Sequence, residues 1–313
     1  MNDMTRYLGN GAYCYANSAS MLLSTIGEDV EPGFFEVMTG FALGAFLSES
    51  NRIFFDSCSS SPDEGVNRAF DILGFHVQEK VKQDGALMPL DELREDLAVS
   101  PIMLGPLDMG HLTYNPNYRY VGGSDHYVLA LDINVQEIML HDPAGYPYVW
   151  LPLEQLDLAW KAERIKCSQG SYRYWLSPER IESPSVELVY ERSLRLFQSR
   201  YKQQAIYGTD SNYVVGTNAI LAKAEHIRSG NLVHGEIEHL IHFALPLGAK
   251  RAMDFSRFFA GSHTQLAHLK ELQARLFGKC QSAAMLQEWC VLADTLEQLS
   301  EVEGEFEAAV TAL

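Results

Sequence analysis

The chain has 313 residues, enough for about two domains of roughly 150 residues each, and its 47% hydrophobic and 21% charged content is that of a globular protein. The formal net charge of −17 argues against a nucleic-acid partner, because phosphate backbones are bound through clusters of Lys and Arg that this sequence does not show. No apolar run reaches the roughly 18 residues that cross a bilayer, and the first residues have no secretion-signal pattern, so we expect a cytoplasmic protein without a membrane partner.

The first hundred residues are predicted to be mainly helical. The stretch CYANSASMLLSTI at 14–26 is small or apolar without a helix breaker, and Gly27 follows as a stop signal, so Cys14 is expected to open a helix. The apolar stretch at 34–46 is predicted to be helix, or packed helix and loop. A serine-rich loop at 57–65 contains Pro62, which is expected to start the next helix.

The pattern changes after residue 100, where short apolar runs at 101–107, 126–133 and 137–143 predict buried strands. The link between the last two runs is short, as in a hairpin. The segment SPERIESPS at 177–185 contains two prolines and several charges and marks a boundary, after which almost every window has helical spacing. We therefore predict an α+β domain over 1–180, followed by an all-helical domain over 181–313.

Cys14 is a candidate nucleophile because it is expected at a helix N-terminus. A cysteine attacks a carbonyl as thiolate, and a thiol with its ordinary pKa of about 8.5 is only a few per cent thiolate at neutral pH. Lowering that pKa by two units takes about 2.7 kcal/mol, whereas a helix dipole supplies roughly 0.3–1 kcal/mol. A nearby imidazolium is therefore required. His126 is the candidate, since it begins a predicted strand directly after the glycine-rich link YVGGSD.

Asp142 is the candidate that orients His126 in one tautomer. If the runs 126–133 and 137–143 pair as a hairpin that turns near 134–136, facing residues have numbers that sum to about 268–271, which sets Asp142 across from 126–129. Each of the three residues also fits a structural role alone: a buried helical cysteine, a strand-end histidine, and an aspartate that opens a turn before Pro143. Their combination in this order favours a Cys-His-Asp triad.

These residues resemble the papain-like fold of the bacteriocin-processing cysteine peptidases, which combine an N-terminal Cys helix with a histidine strand like GSDHYVLALDI and a strand ending in Asp-Pro like IMLHDPAG. The layout is more similar to the butirosin biosynthesis protein H-like family. The segments that carry this likeness are the Cys helix with the glycine-rich stretch that follows it, PIMLGPLDMGHLTYNP, and GAKRAMDFSRFFAG in the helical remainder. The resemblance extends over most of the chain.

The resemblance implies acyl transfer in natural-product biosynthesis: Cys14 takes an acyl group from a thioester on an acyl or peptidyl carrier protein and passes it to an amine acceptor, with His126 as base and Asp142 as orienter. The net negative charge suits a cationic acceptor. One position departs from the papain-like pattern, because Leu8 stands where a glutamine usually donates to the oxyanion. Asn10 and the backbone N–H of Cys14 are the candidate donors instead.

Asp108 and His111 flank a predicted strand end and are candidate substrate contacts, with loop capping as the alternative. Tyr114, Tyr118 and Tyr120 lie in the same loop, where they fit a binding wall or surface packing equally well.

No cofactor and no metal are expected. Five cysteines without a CxxC pair argue against structural zinc and disulfides, and HGEIEHLIH lacks the HExxH order of zinc peptidases.

Three functions remain open at this point. The first is an acyltransferase, the second a hydrolase (peptidase, amidase or thioesterase) in which water replaces the amine, and the third a binding protein that keeps the fold without chemistry. The first two share every catalytic residue. The amphipathic helical domain fits a lid over the cleft, a carrier-protein docking surface or a homodimer interface.

Overall fold

The computed structural model describes residues 5–9, 11–165, 170–210 and 213–313, and it divides the chain into two compact units. The first unit comprises Met1–Phe35 and Pro62–Pro184, and the second comprises Glu36–Ser61 and Ser185–Leu313. A single cut between residues 180 and 181 would not produce these units, because the segment 36–61 is grouped with the chain after 184. No helix within the described ranges is both long and apolar enough to span a bilayer.

Helices and strands alternate in the first 180 residues, and helices predominate after that. The strands are β1 (Phe46–Leu47), β2 (Ile53–Phe54), β3 (Phe75–Lys82), β4 (Ile102–Asp108), β5 (Asp125–Ile133), β6 (Glu137–Asp142), β7 (Tyr146–Pro152), β8 (Ser171–Arg180) and β9 (Val214–Val215). The helices are α1 (Cys14–Ser24), α2 (Pro32–Thr39), α3 (Pro62–Leu73), α4 (Leu90–Leu97), α5 (Leu153–Trp160), α6 (Val186–Asp210), α7 (Gly216–Arg228), α8 (His234–His239), α9 (Leu245–Phe259), α10 (Thr264–Met285) and α11 (Trp289–Thr311). The predicted α+β class with a helical C-terminal part is confirmed.

A six-stranded antiparallel sheet organises the first unit, in the order β3-β8-β4-β5-β6-β7. Side chains of successive residues on β5 point to opposite faces. Val128 and Ala130 therefore join the buried cluster formed with α4 and α5, whereas Tyr127 meets Tyr15 of α1 edge to face, with ring centroids 5.8 Å apart. α1 is buried from Tyr15 to Leu23, as expected for a central helix without a polar face.

The hairpin predicted between the second and third apolar runs is present as β5 and β6. Leu129 pairs with His141 and Ala130 pairs with Leu140, so that the residue numbers of each pair sum to 270. An irregularity between Ala130 and Asp132 shifts the register of the later pairs by one residue. Asn134 closes the turn, since its side-chain oxygen accepts from the N–H groups of Gln136 and Glu137 at 2.7 and 2.8 Å. Continued at the same sum of 270, this register sets Asp142 across from Val128, two residues along β5 from His126.

β3 corrects the prediction that the first hundred residues are mainly helical, because it contributes eight residues of extended chain. It occupies an edge of the sheet. Its charged residues Glu79, Lys80 and Lys82 are half-buried and interrupt the apolar positions, so that its pattern lacks a continuous apolar run.

The second unit has a helical core that also includes the segment 36–61. Val37, Leu43, Ile53 and Phe55 are buried in one cluster with side chains of α6, α7, α9, α10 and α11. β1 pairs with β2 and with β9 in a small three-stranded sheet, whose strand β9 lies in the region predicted to be all-helical.

Candidate active site

Cys14 begins α1 at the end of a strained turn. Tyr13 before it has φ 56°, a left-handed conformation that costs a non-glycine residue free energy. The Asn17 side-chain amide donates to the carbonyls of Ala12 and Tyr13 at 2.5 and 3.0 Å, and so fixes that turn from inside the helix. Cys14 is half-exposed, at a helix end where free N–H groups favour negative charge. It has the placement that a thiolate nucleophile needs.

His126 is buried near the start of β5, and its Nε2 lies 2.7 Å from Oδ1 of Asp142. Burial alone lowers the pKa of His126, but the Asp142 carboxylate and a hydrogen bond with Cys14 outweigh burial and raise this pKa well above 6.5. Because Nε2 faces the carboxylate, Nδ1 is the ring nitrogen left to exchange a proton with the thiol. The geometry favours an imidazolium beside Cys14.

Asp142 ends β6 fully buried, yet it carries three hydrogen bonds to its carboxylate. Oδ1 accepts from His126 and from the N–H of Ala144 at 2.6 Å, and Oδ2 accepts from the Tyr114 hydroxyl at 2.8 Å. Burial acts to raise the pKa of Asp142, but His126, the Ala144 N–H and Tyr114 together lower it below 3.8. Asp142 is therefore held as a carboxylate and can stabilise positive charge on the imidazole.

The chain before Cys14 is attached to the end of β6. The Tyr7 hydroxyl donates to the Asp142 carbonyl at 2.9 Å, and the N–H of Gly11 donates to the Pro143 carbonyl at 3.2 Å. These contacts hold the segment before the nucleophile's helix on the backbone carbonyls of Asp142 and Pro143.

His141 has no part in the triad, as its position next to Asp142 on the strand predicts. Its Nδ1 accepts from the backbone N–H of Tyr148 at 3.2 Å, and its ring meets Tyr7 edge to face. Burial lowers the pKa of His141, so that this histidine is neutral at pH 7.

The loop between β4 and β5 is closed by Asp108. Its Oδ1 accepts from the N–H groups of Gly110 and Gly123, both at 2.8 Å, and its Oδ2 lies 3.6 Å from Nε of Arg164. Asp108 is buried by these contacts, which correspond to the loop-capping role that was the alternative to substrate contact. His111 is half-exposed in the same loop, at the end of a 3₁₀ turn. Asn10, the candidate oxyanion donor, lies outside the described residues.

Tyr114 is a site residue that the sequence prediction did not identify. Its loop offered two interpretations for all three tyrosines, a binding wall or surface packing, and an irregular loop has no periodicity that separates one tyrosine from the next. In the structure Tyr114 is half-buried with its hydroxyl on Asp142, whereas Tyr120 is 87% exposed.

No group of three or more His, Cys, Asp or Glu side chains in the described ranges is arranged to hold a metal ion. Within HGEIEHLIH, the exposed His234 and His242 both face Glu238, with shortest N–O distances of 3.7 and 3.3 Å. His234, Glu238 and His242 therefore form a solvent-exposed face of their helical segment. Nucleophilic chemistry at Cys14, with proton transfer through His126, is what the arrangement of described residues favours.

Comparison with known proteins gives three findings. The YobF C-terminal domain family matches residues 210–311, within the second unit. The chain is 36% identical over 303 residues to a Bacillus subtilis (strain 168) protein described as "Uncharacterized protein YobF", over 97% of each sequence. A crystal structure from Bacillus anthracis, described as a "putative C39-like peptidase", aligns with 58% of this chain and 98% of its own, at a TM-score of 0.40 and 13% identity. The full-length relative thus spans both compact units.

Proposed function

This chain belongs to the YobF family, and we propose that it is a cysteine-nucleophile enzyme that transfers acyl groups through Cys14. The observation that carries the proposal is the buried His126–Asp142 pair at 2.7 Å, with the imidazole hydrogen-bonded to the thiol that begins α1. A half-exposed cysteine beside a buried imidazole and its carboxylate is the kind of environment in which nucleophilic cysteines are found.

In the first half-reaction the Cys14 thiolate attacks the carbonyl carbon of an acyl thioester and forms a tetrahedral oxyanion. Collapse of this intermediate breaks the bond to the leaving sulfur, which takes the proton from the His126 imidazolium. The products are an acyl-enzyme on Cys14 and a free thiol.

In the second half-reaction a neutral amine attacks the acyl-enzyme while the now neutral His126 accepts a proton from the amine nitrogen. Collapse forms the amide and releases Cys14 as thiolate, again paired with the imidazolium. Asp142 holds the ring in one orientation throughout and stabilises its charge.

The oxyanion requires donors other than a glutamine, since position 8 is leucine. The backbone N–H of Cys14 is one proposed donor, because the first N–H groups of a helix have no acceptor within the helix itself. The side-chain amide of Asn10 is the second.

The choice of an amine acceptor and a carrier-protein thioester rests on the resemblance to the butirosin biosynthesis protein H-like family, and so does a role in natural-product biosynthesis. His111 is half-exposed in the loop beside the pair and is the remaining proposed substrate contact. A hydrolase would use the same three residues with water as acceptor, so the acceptor has to be identified by experiment.

The test is intact-mass spectrometry after incubation with short acyl thioesters of N-acetylcysteamine. We expect an acyl adduct on the wild-type chain and on Cys290→Ala, which removes an exposed cysteine, and no adduct on Cys14→Ala. The isolated adduct is then offered amines in water. Amide formation supports transfer and free acid supports hydrolysis, whereas absence of both the adduct and iodoacetamide labelling of Cys14 overturns the proposal in favour of a non-catalytic binding protein.

A further inference from the structure

We propose that Tyr114 is a positioning residue that fixes the plane of the Asp142 carboxylate, and through it the orientation of His126. The inference rests on the proposed function for its catalytic consequence. Its structural part, the control of His126 by Tyr114, can be measured without any substrate.

The hydrogen bonds of Asp142 are divided unequally between its two oxygens. His126 and the Ala144 N–H both donate to Oδ1, whereas the Tyr114 hydroxyl donates to Oδ2. The terminal torsion of an aspartate has broad minima, so the two donors to Oδ1 still allow the carboxylate plane to rock about the Cβ–Cγ bond. A donor on the opposite oxygen narrows that range. Tyr114 therefore determines whether Oδ1 stays aimed at the imidazole.

The hydroxyl of Tyr114 is held in place by the architecture of its loop. Asp108 accepts from N–H groups near both ends of that loop, and the N–H of Met109 donates to the Ser124 carbonyl at 3.0 Å. The Tyr114 ring also meets Tyr146 of β7 edge to face, with centroids 5.7 Å apart. The loop is thus closed at its base while one tyrosine extends from it to the carboxylate.

Tyr114 remains a donor over the whole range of pH in which a cysteine enzyme works. Burial and the neighbouring Asp142 charge raise the pKa of Tyr114 well above 10. Its proton therefore stays on the phenol when His126 and Cys14 exchange theirs, and the hydrogen bond is constant through the catalytic cycle.

The test compares Tyr114→Phe, which removes one oxygen and keeps the ring, with Tyr146→Phe, which removes the hydroxyl of the packing partner. We expect Tyr114→Phe to lower kcat for acyl transfer by about tenfold to a hundredfold, the usual effect of losing a hydrogen bond to a charged group, with KM within about twofold. In spectra of ¹⁵N-histidine-labelled protein, the His126 Nε2–H resonance should shift or broaden in Tyr114→Phe. Tyr146→Phe should match the wild type in each measurement.

Asp108→Ala gives a second route to the same result, because it opens the loop and leaves Tyr114 chemically intact. We expect the same change at His126 Nε2, and thermal melting of each variant separates this effect from loss of fold. Wild-type kcat together with a wild-type His126 resonance in Tyr114→Phe would overturn the inference. If the wild type fails to cleave thioesters while the His126 resonance still responds to Tyr114→Phe, acyl transfer is refuted and the positioning of the pair by Tyr114 stands.

Discussion

His126 and Asp142 are both buried, so each side chain is taken out of water at a cost that their mutual contact must offset. The pair is consequently a site where protonation and folding are linked. The two pKa shifts have opposite signs: that of His126 is raised from 6.5, and that of Asp142 is lowered from 3.8.

These signs define the pH window in which the pair stabilises the first unit. The contribution of Asp142 is present above 3.8 and is lost as the pH falls through its lowered folded-state pKa. The contribution of His126 is complete below 6.5 and is lost as the pH rises through its raised folded-state pKa. Both contributions are therefore present together between 3.8 and 6.5.

Asp142→Asn should lower the free energy of unfolding by roughly 3 kcal/mol near pH 6. The loss should be smaller at about pH 9, because the contribution of the imidazolium falls as the pH rises toward and through the raised pKa of His126. Urea titrations at both pH values measure this difference, with Glu154→Gln, an exposed carboxylate of the same unit, as the control. A loss of stability that is equal at the two pH values would contradict the linkage.

At the scale of elements, the β5–β6 hairpin is where sequence and structure agree in most detail. In an antiparallel hairpin the position of the turn determines which residues face each other. The residue numbers of the observed pairs sum to 270 or 271, within the predicted range. His126 and Asp142 were predictable as neighbours for that reason. Tyr114 was not, because it approaches Asp142 from an irregular loop 28 residues before it in the chain. β3 was missed because polar and charged residues interrupt its apolar positions, so that no apolar run marks it as a strand.

The register of this hairpin leads to a prediction about its turn. Deletion of Val135, which is 84% exposed and outside the core, should move the pairing by one residue and turn Asp142 to the opposite face. We expect iodoacetamide labelling of Cys14 near neutral pH to slow by about tenfold or more, because the imidazole loses its carboxylate. The substitution Val135→Gly, which keeps the length of the turn, is the matched control. Labelling at the wild-type rate in the deletion variant would show that the turn absorbs the change.

For the whole molecule, the informative feature is that residues 36–61 are grouped with the second compact unit. Arg251 of α9 is buried, and it donates to Oε1 of Glu36 at 2.9 Å and to the Phe55 carbonyl at 3.0 Å. The sequence of 36–61 does not show which core buries this segment. Its apolar pattern would be the same if it packed in the first unit. Only long-range packing distinguishes the two cores.

A chain of residues 185–313 alone should therefore fail to fold cooperatively, since it lacks Ile53 and Phe55 in its core and leaves Arg251 without Glu36. Removal of one partner from a buried ion pair costs about 3–5 kcal/mol. Fusion of residues 36–61 to this chain through a flexible Gly-Ser linker should restore a cooperative urea transition, followed by circular dichroism. The same fusion carrying Glu36→Gln should be less stable than the unsubstituted one. Cooperative unfolding of residues 185–313 without the segment would contradict the assignment.

The discontinuity of the second unit also has a consequence for biosynthesis. Residues 36–61 leave the ribosome before residues 62–184 of the first unit, but the helices that bury them are encoded after Pro184. At about 5–20 residues per second, translation of residues 62–184 alone takes on the order of ten seconds. During that interval Val37, Leu43, Ile53 and Phe55 have no core to enter. This segment is thus the part of the nascent chain that we expect chaperones to bind.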